Sequence, residues 1–263
     1  MKGIHMQELF SVRGKKAIVT GGTRGIGYMI AQGLLEAGAE VFITSRKVEA
    51  CEQAAAELGK LGTVRAFARD LSQESECRLF VEDVEKLTDS IDILVNNAGA
   101  SWGAPIADYP ESGWDRVMDL NVKGLFNVTR FALPLLEKAS TADDPARVIN
   151  IGSIDGIIVP IFPNYAYSAS KAAVHQLTTH LAAELAPKIL VNAIAPGPFP
   201  SKMMEATLRD HGDEVRAMTR VGRVGTPEDI AAAVIYLSSR ASTYMTGAVI
   251  PVDGGISTTG PAH

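Results

Sequence analysis

The stretch KKAIVTGGTRGIGYMIAQGLLEAGAEVFITSRK, residues 15–47, contains a strand, a glycine-rich turn, a helix and a second strand in succession. The runs KKAIVT and AEVFITS are apolar at consecutive positions, which is typical of parallel strands covered on both faces. The helical pattern GIGYMIAQGLLEAG lies between them. A strand–helix–strand unit of this kind predicts a parallel sheet of the α/β class.

The same alternation continues to the end of the chain. Further apolar runs are TVRAFARDL, IDILVNNAG, ARVINIGS, KILVNAIAPG and GAVIPVDGG, with helical patterns between them. No linker, repeat or low-complexity tract divides the chain. We therefore predict one domain over residues 1–263, a Rossmann-like, doubly wound sheet of seven mainly parallel strands with helices on both faces. The irregular segment 198–224 is predicted to form a substrate lid.

Composition and charge exclude several other classes of protein. The formal net charge of −5 over 263 residues gives no basic surface for nucleic acid or for an anionic membrane. No apolar run has the length of a signal peptide core or of a membrane span. The two cysteines, Cys51 and Cys77, form no metal or redox motif, so we expect a cytoplasmic protein without structural disulfides.

Glycine-rich and polar residues collect where the predicted strands end. TGGTRGIG follows the first strand, NNAG the fourth, GS the fifth and APGPFP the sixth. In open α/β sheets, ligands bind beyond the carboxyl ends of the strands. Gly21, Gly25 and Gly27 would let the backbone approach a pyrophosphate at the helix N-terminus. The alternative is a tight turn without a ligand.

The end of the second strand indicates which dinucleotide binds. An NAD site usually has an acidic residue there, whereas this chain has Ser45 and Arg46. A guanidinium suits a 2′-phosphate, and Arg24 in the glycine turn adds a second positive charge. The alternative is that both arginines are solvated surface residues. Asp70, after the third strand, either accepts a hydrogen bond from an adenine amino group or caps the next helix.

The segment NYAYSASKAA, residues 164–173, pairs a tyrosine with a lysine. If a helix begins here, Lys171 is the i+4 neighbour of Tyr167, whereas Tyr165 faces Ala169. A positive charge at ~4 Å, at an effective dielectric constant of ~20, stabilises a phenolate by about 4 kcal/mol. This spacing predicts that Lys171 lowers the pKa of Tyr167 toward neutrality, where acid–base catalysis is efficient.

Taken together, these motifs resemble the short-chain dehydrogenase/reductase family. The resemblance rests on the glycine turn, NNAG at 96–99, Ser153, the Tyr167/Lys171 pair, PG at 196–197 and VDGG at 252–255. It covers essentially the whole chain. In detail the chain is most similar to 3-oxoacyl reductases of the rhamnolipid type, notably at NNAGASWGA and DDPARVINIGS.

The resemblance implies a hydride transfer between a nicotinamide and a carbonyl or alcohol carbon, without a metal. It assigns Tyr167 as the proton donor in reduction and Lys171 as the residue that holds the nicotinamide ribose. Ser153 is expected to bind the substrate carbonyl oxygen, although a serine at a strand end is also a common helix cap. Asn121 is expected to kink a helix and hold a water of a proton relay.

The resemblance also assigns the residues that bind NADP(H). Those of the glycine turn and the next two strand ends are Gly21, Thr23, Arg24, Gly25, Ile26, Gly27, Ser45, Arg46, Asp70 and Leu71. Those that follow are Asn97, Ala98, Gly99, Tyr167, Lys171, Pro196, Gly197, Phe199 and Ser201. The family often has Ile in place of Phe199, which leaves the packing of that ring open. A homotetramer is implied in the same way.

The substrate is predicted less specifically. The apolar loop IDGIIVPIFP, Trp102, and the lid residues Met203, Met204 and Met218 indicate an apolar arm or acyl chain. A 3-oxoacyl thioester is the first hypothesis. Asp143 and Asp144, expected near the site, argue against an acidic acyl-carrier protein as the partner. A secondary alcohol, polyol or terpenoid alcohol dehydrogenase is the alternative, and a non-catalytic dinucleotide sensor is a more remote one.

Overall fold

The computed structural model describes residues 5–202 and 204–259, and its centre is one seven-stranded sheet. The strand order is β3-β2-β1-β4-β5-β6-β7, and every neighbouring pair is parallel. The strands are β1 Lys16–Thr20, β2 Glu40–Ser45, β3 Val64–Ala68, β4 Ile93–Asn96, β5 Ala146–Ile151, β6 Ile189–Pro196 and β7 Val249–Val252. All seven predicted strands are confirmed, and β3, β4 and β7 are clearly shorter than the runs that indicated them.

Helices connect the strands and cover both faces of the sheet. They are α1 Met6–Leu9, α2 Gly25–Glu36, α3 Val48–Leu58, α4 Glu74–Glu85, α5 Glu111–Met118, α6 Leu125–Ala139, α7 Tyr165–Leu185, α8 Glu205–Met218, α9 Pro227–Ser238 and α10 Ile256–Thr259. Pro227 begins α9 inside a capping box of Thr226 and Asp229, which satisfies two backbone donors of the first turn. Within residues 5–202 and 204–259, none of the helices combines the length and apolarity needed to cross a membrane.

Two apolar cores lie on opposite faces of the sheet, because successive side chains of a strand point to opposite faces. Val19 belongs to the core that α2 and α9 cover, and its neighbour Ile18 belongs to the core that α4 and α6 cover. The central strands are buried on both faces and cannot alternate with polar residues. This explains the continuous apolar runs from which the fold was predicted.

The segment 198–224 contains more regular structure than its sequence pattern predicted. α8 occupies Glu205–Met218, with non-helical backbone angles at His211 that mark a kink. Met204 and Met218 are partly buried, and Met203 lies outside the described residues. The low apolar content of α8 explains why the sequence did not indicate a helix.

Candidate active site

The glycine turn leaves β1 and enters α2 with little space for side chains. Gly21 and Gly25 have φ angles of 66° and 55°, which L-residues rarely adopt. A Cβ at Gly21 would lie 3.0 Å from Asn97 Nδ2, and one at Gly25 would lie 3.3 Å from Ser201 Cβ. The turn is therefore bounded by the loop after β4 on one side and by the lid on the other.

Thr20, the last residue of β1, fixes the position of the loop after β4. Its Oγ1 accepts hydrogen bonds from Asn97 N and Ala98 N over 2.9 and 3.0 Å. Asn97 Nδ2 in turn donates to Thr20 O over 2.9 Å. The sequence indicated Asn97 and Ala98 but no role for the Thr20 side chain. A hydroxyl at a strand end beside a glycine turn was the available signal.

The polar residues that follow β1, β2 and β3 differ in their hydrogen bonding. Arg24 and Arg46 are exposed, and neither makes an ion pair or a side-chain hydrogen bond within the described part of the chain. Thr23, Ile26 and Ser45 lie beside them, partly buried. Asp70 Oδ1 accepts from Ser72 N and Oγ over 3.2 and 2.9 Å, so it caps the loop before α4. Leu71 is buried.

Ser153, Tyr167 and Lys171 meet beyond the carboxyl end of β5. α7 begins at Tyr165, so Tyr167 and Lys171 lie one turn apart on the same face, as predicted. Lys171 is 5% exposed, its Nζ donates to Ile151 O over 2.8 Å, and it lies 5.5 Å from the centroid of the Tyr167 ring. Tyr165 instead packs edge-on against Tyr109, with 5.6 Å between ring centroids.

The pKa predicted for Tyr167 is wrong in direction. Burial raises the pKa of Tyr167 to about 12, and a hydrogen bond with Ser153 offsets part of that increase. Burial also lowers the pKa of Lys171 to about 8. The expected lowering of the tyrosine pKa assumed a cation at ~4 Å from the phenolate and an effective dielectric constant of ~20. Here the Lys171 ammonium donates a hydrogen bond to the Ile151 carbonyl. Loss of solvent disfavours the charged form of both Tyr167 and Lys171.

Asn121 lies in an irregular turn, as predicted. Asp119–Gly124 form a π-helical segment between α5 and α6, a feature that often marks functional sites. The Asn121 side chain is buried and bonds Ala100 at both its N–H (2.8 Å) and its carbonyl (3.0 Å), and also Ser170 Oγ (2.9 Å). A Cβ at Gly99 would lie 3.4 Å from Asn121 Oδ1 and 3.8 Å from Lys171 Nζ. Asn121 therefore holds the loop after β4 against α7.

The end of β6 closes the opposite side of the site. Gly197 N donates to Val252 O over 3.0 Å, and a Cβ on Gly197 would lie 2.7 Å from Asp253 Cα. Phe199 has its ring buried in the core against Gly225, which answers the packing question left open by the sequence. Pro196 ends β6, and Ser201 faces the glycine turn.

Apolar side chains are exposed on the loops that follow β4 and β5, the second of which contains Ser153. The loop after β4 exposes Ile106, and the facing loop after β5 exposes Ile157, Val159, Ile161 and Phe162. We call these five residues the apolar rim. Ala104 N donates to Pro163 O over 3.1 Å, which joins the two loops. Trp102 packs on α5 at Gly113 and lies under Arg116.

Asp144 is not near the site, contrary to the expectation from the sequence. It precedes β5, whereas Ser153 follows it, so the two residues lie at opposite edges of the sheet. Asp144 pairs with Lys15 over 2.7 Å and with Arg147 over 3.3 Å. Asp143 is its exposed neighbour. Closeness in sequence misled here because a six-residue strand separates the two segments by its full length.

The comparisons with known proteins agree with this geometry. A family model described as enoyl-(acyl carrier protein) reductase matches residues 21–257. The rhamnolipids biosynthesis 3-oxoacyl-(acyl-carrier-protein) reductase of Pseudomonas aeruginosa is 50% identical over 253 residues, covering 95% of this chain and 99% of that protein. The galactitol 2-dehydrogenase of Rhizobium johnstonii is 37% identical over 255 residues, covering 95% and 97% respectively.

A solved structure is also similar to this chain. The Pseudomonas aeruginosa RhlG/NADP active-site complex has a TM-score of 0.92 at 49% identity and covers 97% of this chain and 100% of that one. The residues matched by the family model, 21–257, include every candidate cofactor-binding and catalytic residue. On the family match, the shared sequence and the shared fold, this chain belongs to the short-chain dehydrogenase/reductase family.

Proposed function

We propose that this protein is an NADPH-dependent oxidoreductase that reduces a ketone to a secondary alcohol, and that the ketone is a 3-oxoacyl thioester. The observation that carries the proposal is the convergence of Ser153, Tyr167 and Lys171 beside the glycine turn, with Tyr167 held as a neutral phenol. A reductase requires a proton donor at this position, and a phenol with a pKa of about 12 stays protonated throughout the neutral range.

The residues around the glycine turn fit a dinucleotide with a 2′-phosphate. α2 begins at Gly25, so the backbone N–H groups of its first turn adjoin the glycine turn, as a pyrophosphate site requires. Arg24 and Arg46 are exposed cations at the neighbouring strand end, and no acidic residue takes the place of Arg46. NADPH would supply the hydride. The similarity to a protein solved with NADP supports this choice.

The proposed roles follow from the surroundings of each side chain. Tyr167 gives its proton to the oxygen that gains charge during reduction, and Ser153 donates a hydrogen bond to the same oxygen. Lys171, an ammonium below about pH 8, orients the nicotinamide ribose. Its positive charge also stabilises the negative charge of the phenolate as it forms. Asn121 fixes the loop after β4. A relay water between Asn121 and Lys171 is part of the proposal.

The apolar rim supports an acyl chain as the part of the substrate beyond the ketone. Val159 is 89% and Ile161 71% exposed, which is unusual for side chains of this size. The 50% identical relative is named for its reduction of a 3-oxoacyl group on acyl-carrier protein. Because Asp143 and Asp144 lie at the other edge of the sheet, they give no reason to exclude an acidic carrier protein.

A series of 3-oxoacyl esters and thioesters of increasing chain length, assayed with NADPH, tests the proposal. Each buried methylene contributes about 0.8 kcal/mol, so kcat/KM should rise about fourfold per methylene while the rim is being covered. Oxidation of polyols and of terpenoid alcohols with NADP⁺ provides the comparison. A flat or falling series, with faster oxidation of polyols, would contradict the acyl substrate. Absence of any hydride transfer would favour the dinucleotide sensor.

We further infer a cytoplasmic homotetramer. Trp114 and Phe126 expose 42% and 40% of their surface on α5 and α6, close to the segment that carries Asn121. Exposed aromatic residues on neighbouring helices support a subunit contact there. Cys51 and Cys77 are buried free thiols, as expected of a protein in a reducing compartment. Light scattering of the purified protein would measure the mass.

A further inference from the structure

Asp155 is a partly buried carboxylate two residues after Ser153 that was not among the expected catalytic residues. Its backbone N–H donates to Ser153 Oγ over 3.1 Å, and its Oδ2 accepts from Asn164 Nδ2 over 2.9 Å. Asn164 is buried and is the residue before α7, three positions from Tyr167. The Asp155–Asn164 pair therefore joins the turn after Ser153 to the start of the helix that carries Tyr167.

The turn that contains Asp155 packs directly on the backbone of α7. A Cβ at Gly156 would lie 2.7 Å from the carbonyl carbon of Lys171 and 2.7 Å from Ala172 N. No larger residue fits there without displacing the turn. This contact and the hydrogen bond to Asn164 hold Asp155 beside the Tyr167–Lys171 segment, while the loop that they close carries four of the rim residues.

The charged groups around Asp155 come from α7. α7 and β6 are the main helix and strand that pack against the turn, and β6 has no titratable side chain. From α7, Tyr167, Lys171 and His175 face it. Burial lowers the pKa of His175, which favours the neutral imidazole. Burial also raises the pKa of Asp155, whereas Asn164 and Lys171 favour its ionised form.

The negative charge of Asp155 acts on both members of the proton-transfer pair. It opposes the burial that lowers the pKa of Lys171, and it adds to the burial that raises the pKa of Tyr167. A carboxylate in this position favours the protonated form of each.

We propose that Asp155 is a positioning residue, whose carboxylate, held by Asn164, keeps Lys171 an ammonium at neutral pH. The roles of Tyr167 and Lys171 in reduction are those of the proposed function, on which this inference rests. In this proposal Asp155 acts through Lys171 and not on the reacting atoms themselves.

Asp155→Asn tests the charge separately from the hydrogen bond, because an asparagine carbonyl still accepts from Asn164. The measurement is an NMR titration of protein labelled at lysine Cε, with the Lys171 signal assigned from Lys171→Met. In the native protein the midpoint is expected at about 8. In Asp155→Asn it should fall by about one pH unit, because a nearby opposite charge is lost. A midpoint that is unchanged or higher overturns the proposal.

Two further variants separate charge from structure. Asp108→Asn removes an exposed carboxylate from the facing loop and should leave the Lys171 midpoint where it is. Asp155→Ala removes both charge and hydrogen bond and should shift the midpoint at least as far as Asp155→Asn. A shift in Asp155→Ala alone would show that only the hydrogen bond matters and would overturn the proposal. If Asp155→Ala does not fold, the Asn variant decides.

Kinetics provide a second readout. The alkaline decline of ketone reduction should move to lower pH in Asp155→Asn by the same amount as the NMR midpoint, because the same ammonium is lost. A decline at unchanged pH overturns the proposal. The titration needs no substrate, so a native protein inactive on every carbonyl would refute the proposed function while the NMR result still decides the role of Asp155.

Discussion

Lys171 and Arg147 are both buried cations, and they lie at opposite ends of the same strand. Lys171 is 5% exposed and donates to Ile151 O at the carboxyl end of β5. Arg147 is 1% exposed near the amino end, where its guanidinium donates to Pro145 O, to Ser239 O over 3.1 Å and to Asp144 over 3.3 Å. Within the residues that the structure describes, Lys171 therefore has one direct acceptor and Arg147 has three.

The difference in partners separates stability from chemistry. A guanidinium remains charged even when burial lowers its pKa, so Arg147 can only join β5 to the end of α9 and to Asp144. A buried lysine can lose its proton near neutral pH, and Lys171, with a pKa of about 8, is close to that point. The carboxyl edge of the sheet thus holds a charge that can change, and the amino edge holds one that cannot.

The largest effect is expected from Tyr167→Phe, which removes one hydroxyl from the carboxyl edge. The ring and its packing remain, but the proton that must reach the substrate oxygen is gone. Positioned acid–base groups contribute about 10² to 10⁴ in rate, so single-turnover reduction should slow by that factor. Binding of NADPH, measured by fluorescence, should be nearly unchanged.

Tyr165→Phe is the matched control for this prediction. Tyr165 begins the same helix but packs against Tyr109 and away from Lys171. Its loss of a hydroxyl should leave the chemical step within a few-fold of the native rate. A normal rate in Tyr167→Phe together with an inactive Tyr165→Phe would show that the proton donor is wrongly assigned.

Exchanging each buried cation for methionine should give opposite results at the two edges. Arg147→Met leaves the Pro145 and Ser239 carbonyls without this donor and Asp144 paired with Lys15 alone, so the free energy of unfolding should fall by about 3 kcal/mol. The rate per folded molecule should stay the same. Lys171→Met removes a buried charge, so stability should change by less than about 1 kcal/mol while reduction is nearly lost.

Urea unfolding and single-turnover rates on the same samples make this comparison. Arg147→Lys, which keeps the charge and loses part of the hydrogen bonding, should lie between the native protein and Arg147→Met in stability. A large loss of activity in folded Arg147→Met would mean that the two edges are coupled. A large loss of stability in Lys171→Met would mean that the lysine serves the fold as well.

The pH dependence of ketone reduction should follow Lys171. Its pKa lies below the ordinary lysine value because of burial, so the ammonium is present below about pH 8 and is lost above it. kcat/KM should be level at neutral pH and fall about tenfold per pH unit on the alkaline side. Tyr167, with a pKa of about 12, stays protonated over this range and contributes no decline.

Lys171→Arg is the control for the assignment, because a guanidinium does not titrate in this range. Whatever activity it retains should show no decline near pH 8. A decline that persists in Lys171→Arg would belong to another group. A native profile that stays level well beyond pH 8 would show that Lys171 does not need its charge.

The sequence predicted the fold because the fold depends on local patterns. Seven apolar runs and the helical patterns between them follow from burial on both faces of a parallel sheet. The pairing of Tyr167 with Lys171 was equally local, since one helical turn separates them. The π-helical segment at Asn121 was indicated by an asparagine where a helix disfavours it.

What the sequence did not reveal depends on contacts between distant segments. The pKa of Tyr167 is set by how many neighbours exclude water from it, and Asp144 was misplaced because only the fold shows at which edge a loop lies. Asp155 was missed for the same reason. Its hydrogen bond to Asn164 spans a nine-residue separation across an exposed loop, with no periodic pattern to indicate it.

Arg46 is a third cation at the site, and because it is exposed we expect its substitution to have the smallest effect. Arg46→Asp should reverse or abolish a preference for NADPH over NADH. A guanidinium–phosphate pair contributes about 1.5–3 kcal/mol, and solvent screening favours the lower end, so the native preference should be roughly tenfold. Titration of both cofactors by fluorescence measures this preference.

Lys60→Asp makes the same charge change at an exposed position after α3 and should leave the ratio of the two affinities unchanged. Equal affinities in the native protein would show that Arg46 is only a surface residue. A preference lost equally in Lys60→Asp would instead assign the selectivity to net charge rather than to a direct contact with the 2′-phosphate.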